Sequence, residues 1–189
     1  MKVYIFTEVY YPDLTSSGYY MTEIAEHLAL NNNVTVITTG KITDSKSSVL
    51  NGVNIIRLKT TVFNKFNLWA RLLAFLNICF LFYRQALKLE IDKDCHVITV
   101  TNPALFILFI AYLKNKIKFK LTILVHDVFP EILVATNILS SNNPIYLVLL
   151  KFFNKSYHKA DQIIVCGRDM RILFENKLKN YNGTIEFIP

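Results

Sequence analysis

The sequence predicts an α/β fold: a doubly wound, mostly parallel sheet of about seven strands with helices on its faces. Three observations predict it. Short aliphatic and β-branched runs alternate with helix-length segments along the whole chain. Each intervening segment is long enough for the next strand to return parallel. The run Thr122-Ile123-Leu124-Val125 is continuous rather than alternating, as suits a strand covered on both faces. At 189 residues the chain fits one domain, residues 1–189, with 52% apolar and 19% charged residues, which excludes a disordered chain.

Taken in order, Lys2 to Phe6 reads as the first strand and Thr7 to Ser17 as a loop, with Pro12 and Asp13 as turn formers. A helix follows, since Met21, Ile24, Ala25 and Leu28 fall at i, i+3, i+4, i+7. It is expected to close at Asn31-Asn32-Asn33, because asparagine tolerates the left-handed conformation. Val34 to Thr38 is the second strand and Val53 to Leu58 the third, after a polar loop containing Gly52. Asn64 to Glu90 is one long helical segment. Its residues Asn67, Arg71, Asn77, Arg84, Gln85 and Lys88 fall within an arc of about 140°, leaving a broad apolar face.

Val97 to Thr101 is the fourth strand, and Pro103 is placed to open the next helix, Ala104 to Leu113, from its first turn. Phe119 to Val125 is the fifth strand. It must stop near Pro130, which cannot donate to a ladder. Pro144 to Lys159 is helical, with Lys151, Lys155 and Lys159 at i, i+4, i+8; Gln162 to Cys166 is the sixth strand, Arg168 to Leu178 the last helix, and Thr184 to Ile188 the last strand.

The net charge is +7, and it is uneven. From Ser45 to Leu89 there are seven basic residues and no acidic one, and Lys114, Lys116, Lys118 and Lys120 form a second cluster. Such patches attract anionic surfaces. No nucleic-acid motif accompanies them, so no nucleic-acid partner is expected. Cys79, Cys95 and Cys166 lack ligand spacing, so no metal site is expected and all three read as reduced core residues of a cytosolic protein. The amino terminus reaches Glu8 too soon for a secretion signal.

Several short motifs recur in an informative order: Tyr11-Pro12, Ser17-Gly18, Thr101-Asn102-Pro103, Val125-His126-Asp127-Val128-Phe129-Pro130-Glu131, and Ala160-Asp161-Gln162-Ile163-Ile164-Val165. In this order they resemble the amino-terminal Rossmann-like domain of the GT-B retaining glycosyltransferases of family 4. The resemblance implies an acceptor-side half, with a second, donor-gripping domain absent after Pro189 and the fragment inactive alone. It implies a sugar nucleotide as co-substrate, no other cofactor, and a lipid-linked or polysaccharide acceptor in bacterial cell-surface glycan, including lipopolysaccharide, synthesis. Relatives usually carry two glycines where this chain has Ser17-Gly18.

In open α/β sheets ligands bind outside the carboxyl ends of the strands, where His126 and Asp127 would sit. The resemblance makes them the catalytic pair, positioning the acceptor hydroxyl and handling its proton. The alternative is that they only terminate a strand, with Asp127 capping a turn. Ser17 and Gly18 either cap a helix or let its N-terminal amides approach the donor diphosphate. Glu8, Asn102 and Glu131 are the implied acceptor contacts; exposed polar residues at a strand end are the plain alternative. His27, His96 and His158 receive no role.

The 64–90 segment admits a transmembrane reading, a core reading and an interfacial one. Arg71 and Asn77 leave apolar runs too short to span a bilayer. An interfacial face would present Trp69, Arg71, Phe75, Phe80 and Phe82, and the helix after Pro144 would add Lys151 and Lys155 with Phe152, Phe153 and Tyr157. The expected partner is an anionic membrane surface, and the expected location the cytoplasmic face of the cell membrane. A non-catalytic membrane-docking subunit of a two-chain enzyme is the rival reading.

Overall fold

The structure is a computed structural model that describes residues 1–13, 15–40, 47–60 and 68–188; for residue 47 and residues 68–72 it describes the backbone alone. The chain divides into two compact units, Met1–Ile98 and Thr99–Pro189.

The first unit contains β1 (Lys2–Phe6), α1 (Ser16–Ala29), β2 (Asn33–Gly40), β3 (Ser47–Leu50), β4 (Val53–Lys59) and α2 (Leu68–Ala86). The division falls within β5 (His96–Val100). The second unit continues with α3 (Phe106–Ile117), β6 (Lys120–Val125), α4 (Ile132–Ala135), α5 (Pro144–Tyr157), β7 (Gln162–Val165), α6 (Arg168–Lys177) and β8 (Thr184–Phe187). The strand order is β3-β4-β2-β1-β5-β6-β7-β8. In the first unit β1 pairs parallel with β2, and β2 with β4. In the second, β6 pairs parallel with β7, and β7 with β8. The sheet is therefore mixed and mostly parallel, of the Rossmann-like kind the sequence predicts.

One strand was not expected. β3 pairs antiparallel with β4, Leu50 opposite Val53, across a two-residue loop. Asn51 (φ 47°) and Gly52 (φ 81°) both take positive φ, which the tight hairpin turn matching strand twist demands. The polar loop around Gly52 is thus a hairpin, and the sheet has eight strands rather than seven.

Helix α1 buries Gly18, Met21 and Ala25, while Ile24, expected on the core face, stays 37% exposed. Its end also differs. Leu30 remains right-handed, and none of Asn31 to Asn33 takes positive φ. Instead Leu30 and Asn31 donate their N–H groups to the carbonyls of His27 and Leu28, and the Asn32 side-chain amide caps Leu28 O at 3.0 Å. A tightened last turn does the work of a left-handed cap.

In α2, Phe82 is fully buried and meets Phe6 of β1 edge-on, with ring centroids 5.8 Å apart. That corrects its expected membrane role: Phe82 is a core residue. Among the described side chains of α2, Leu73, Leu76 and Phe80 are exposed, with the Arg84 guanidinium 5.8 Å from the Phe80 ring, and Leu87 just past the helix is exposed too. Phe75 is half-buried. The side chains of Trp69 and Arg71, and the start of the segment before Leu68, lie outside the described residues.

In the second unit, Leu121 to Val125 of β6 are all buried, as the continuous run requires. Against this strand Asp161 acts as a stitch. Its carboxylate accepts the Leu121 N–H at 2.6 Å and pairs with the Lys114 ammonium, which also donates to Phe119 O at 2.8 Å. Lys116 lies over the Tyr112 ring at 4.9 Å, and Lys118 takes the left-handed conformation that closes α3. The side-chain cations of Lys114 and Lys116 are thereby engaged locally. α5 buries Tyr146, Phe153 and Tyr157. Phe153 and Tyr157 are therefore core residues, not membrane contacts. Cys79 and Cys95 are buried as expected, whereas Cys166, just past β7, is exposed.

Candidate active site

The second unit assembles its polar groups where β5 and β6 end. Thr101 follows β5 directly and is 4% exposed. Its hydroxyl oxygen accepts the backbone N–H groups of both His126 (3.0 Å) and Asp127 (3.1 Å), and its own N–H donates to Leu124 O. One buried hydroxyl thus fixes the turn at which β6 stops. That oxygen ties the ends of β5 and β6 together, with Asn102 next in sequence to Thr101; Asn102 and Asp127 are exposed and His126 half-buried. Pro103 is buried, and its carbonyl accepts the Phe106 N–H, so it begins a turn ahead of α3 rather than the helix itself.

Burial holds the His126 imidazole below its ordinary value of 6.5, against the opposing pull of Asp127. The ring is therefore neutral near pH 7 and able to take a proton. A folded value below the unfolded one means that the unfolded chain binds the extra proton first. Stability from this group is intact above 6.5 and is lost as pH falls from there through the folded value. His126→Gln is expected to remove that dependence. Urea midpoints measured for both proteins across this window should show the native chain losing ground to the variant; parallel curves would contradict it.

Glu131 follows the same turn but faces a different neighbour. Its carboxylate receives the Lys177 ammonium at 2.7 Å, with the lysine side chain 6% exposed and the glutamate 25%. An acceptor hydroxyl at Glu131 would have to share it with this cation.

The first unit holds the remaining expected residues. Glu8 lies just past β1, and its carbonyl accepts the hydroxyls of Thr38 (3.1 Å) and Thr39 (2.9 Å) at the end of β2. Burial, then the nearby Asp13 charge, raises its carboxyl above the usual range. The loop folds back on α1: Asp13 Oδ1 accepts the Thr15 N–H, and Thr15 Oγ1 accepts the Gly18 N–H at 3.2 Å. The Gly18 amide is thus committed to a helix cap. A Cβ at Gly18 would sit 2.6 Å from the Asp13 carbonyl oxygen, so close backbone packing itself requires glycine there. Ser17 is half-buried in the first turn of α1. Tyr10, which the sequence reading passed over, is 2% exposed, and its hydroxyl has no hydrogen-bond partner among the described residues.

Two shallow concavities lie away from these groups. One is lined by Lys179, Asn180, Tyr181 and Glu186 in the second unit, the other by Thr35, Ser48, Asn54 and Leu89 in the first; neither includes His126, Asp127, Glu8 or Gly18.

The family model for Glycosyltransferase Family 4 matches residues 17–189. The chain belongs to glycosyltransferase family 4. A relative from Pseudomonas aeruginosa, "Probable glycosyltransferase WbjE", is 31% identical over 180 residues, covering 95% of this chain and 45% of its own length. Among solved structures, sucrose-phosphate synthase from Thermosynechococcus elongatus superposes with a TM-score of 0.65 at 15% identity, over all of this chain and 47% of that one. A second structure of that name gives a TM-score of 0.60 at 14% identity, covering 100% of this chain and 88% of its own. At these identities the likeness establishes the fold, a GT-B-like Rossmann arrangement. This family 4 chain spans about half the length of WbjE and of the longer synthase structure.

Two groups around this candidate site were not singled out from the sequence. Thr101 was visible inside the Thr-Asn-Pro motif, where a hydroxyl before a strand-end turn is itself a signal. Lys177 gave none, being an ordinary last-turn helix cation.

Proposed function

We propose that this chain is the acceptor-side half of a retaining glycosyltransferase that moves a sugar from a sugar nucleotide to a lipid-linked or polysaccharide acceptor in cell-surface glycan synthesis. The observation that carries the reading is the His126-Asp127 turn at the end of β6, pinned through Thr101, with an exposed carboxylate beside an imidazole kept neutral by burial. In sugar transfer the anomeric carbon loses its bond to the nucleotide diphosphate and gains one to the acceptor oxygen, whose proton must leave. A neutral imidazole can take that proton, and a neighbouring carboxylate can orient the hydroxyl and favour positive charge at the sugar. Retention in this family is taken to proceed on one face without a protein nucleophile, so positioning and proton handling are the roles assigned. Asn102 and Glu8 are the further acceptor contacts, and the amides around Ser17 the diphosphate approach.

The donor would be gripped by a second domain, a reading that suits a match covering 45% of the length of WbjE. Incubating radiolabelled UDP- and GDP-sugars with membrane lipid extract tests this. A full-length protein is expected to move label into the lipid fraction and the 189-residue chain alone is not; efficient transfer by the chain alone would contradict the half-enzyme reading.

A membrane-docking role is favoured by one further observation. On α5 the side chains of Ile145, Val148, Lys151, Phe152 and Lys155 are exposed, and the helix carries no acidic residue. No helix among the described residues is long and apolar enough to cross a membrane. An apolar face with lysines suits an anionic bilayer surface. Flotation with vesicles containing about one-third phosphatidylserine should carry the chain upward, and Lys151→Glu with Lys155→Glu should release it. Equal flotation with neutral vesicles would remove the electrostatic part, and no flotation at all would remove the surface.

A further inference from the structure

We propose that Lys177 is a positioning residue for the candidate active site: from the last turn of α6 it clasps the far end of the loop that carries His126 and Asp127. The near end of that loop is held by the Thr101 hydroxyl. Its far end is held by Lys177 and Tyr157 together. The Lys177 ammonium reaches Glu131 Oε1 at 2.7 Å and Oε2 at 2.9 Å, and donates to the Phe129 carbonyl at 3.3 Å. The Tyr157 hydroxyl donates to the same carbonyl at 3.2 Å, so both of its lone-pair directions are taken. The ammonium also lies 5.0 Å from the Tyr157 ring centre and 5.4 Å from that of Phe174, within cation–π range.

Core stability does not require a cation here. Burying an ion pair costs desolvation that well-packed apolar side chains avoid, and a methionine would fill the space between Tyr157 and Phe174. What methionine cannot supply is the pair of bonds that hold Phe129 and Glu131 in place. Thr101 just past β5, Tyr157 of α5 and Lys177 of α6 thereby converge on the six residues 126–131. The backbone that carries His126 is thus held at two points rather than one.

The clasp rests on the transferase reading for its kinetic consequence alone, and its test separates the two. The chain has four histidines, so the His126 imidazole can be followed individually by NMR titration. Releasing the loop hydrates the ring and should move its titration upward, toward the ordinary 6.5, in Lys177→Met, Glu131→Gln and Tyr157→Phe alike. A purely electrostatic influence gives a different pattern: upward on removing the cation, downward on removing the anion, and no movement for Tyr157→Phe. That pattern, or an unmoved titration in all three, overturns the proposal. Lys177→Arg should restore most of the native position. If Lys177→Met fails to fold, Glu131→Gln and Tyr157→Phe still distinguish the outcomes. In a full-length transferase, Lys177→Met should lower kcat by about 10- to 100-fold with little change in the KM for sugar nucleotide. A moved titration with unchanged kcat would sustain the clasp and count against His126 as part of the reacting centre.

Discussion

Tyr157→Ala is expected to lower the unfolding free energy by about 3–5 kcal/mol, and Tyr157→Phe by about 1 kcal/mol. The ring is fully buried, with its centroid 5.0 Å from that of Phe174 at a right angle and 6.1 Å from that of Phe153. Phe153 in turn lies 5.3 Å from Phe129. Truncation therefore opens a cavity where α5, α6 and the loop after β6 meet, and removes one wall of the Lys177 site. The phenylalanine variant keeps the packing and loses only the bond to Phe129 O. On the same helix Phe152, 57% exposed, serves as the control; Phe152→Ala should stay within about 0.5 kcal/mol of the native chain. Urea unfolding with linear extrapolation gives all three values. Equal losses for Tyr157→Ala and Phe152→Ala would contradict the packing described for α5.

Where chemistry is local, the fold was legible in the sequence. β1 was read to the residue, and β6 and β7 to within one, because aliphatic runs bounded by proline, glycine or aspartate leave a strand little freedom. β3 escaped notice because Ser47 and Ser48 supply no apolar alternation, although Asn51-Gly52 carried the turn signal. The end of α1 was placed near the asparagines for the wrong reason: the Asn32 side chain, not its backbone, closes the helix. Breadth of an apolar face also misled. Phe82, Phe153 and Tyr157 looked available for a membrane because periodicity shows which residues share a face, not which element covers it.

The candidate site was legible only in part, for a similar reason. His126 and Asp127 could be placed at a strand end from one contiguous stretch. The ion pair between Glu131 and Lys177 joins residues 46 apart, and the bond from Tyr157 to Phe129 joins residues 28 apart. No spacing rule reaches across an intervening helix and strand. Gly18 was singled out for a helix cap or the approach of a diphosphate; the contact that excludes a side chain there is the Asp13 carbonyl within its own loop.

The larger functional effect belongs to the pair at the end of β6. Asp127→Ala and His126→Ala in a full-length transferase should each lower turnover by about 10²- to 10⁴-fold, the range a positioned proton-transfer group contributes. The losses should not add fully in the double variant, since both groups serve one hydroxyl. Asp127 is exposed, so its removal should leave the unfolding free energy within about 0.5 kcal/mol of the native value. Catalysis and stability are thus separable at this position. The deciding measurement is the initial rate of label transfer from sugar nucleotide to membrane lipid by the folded Asp127→Ala and His126→Ala proteins, beside an exposed control, Lys179→Ala. Near-complete loss in the two site variants with a native rate in the control is the expected result; native rates in all three would contradict the placement of the reacting centre at His126 and Asp127.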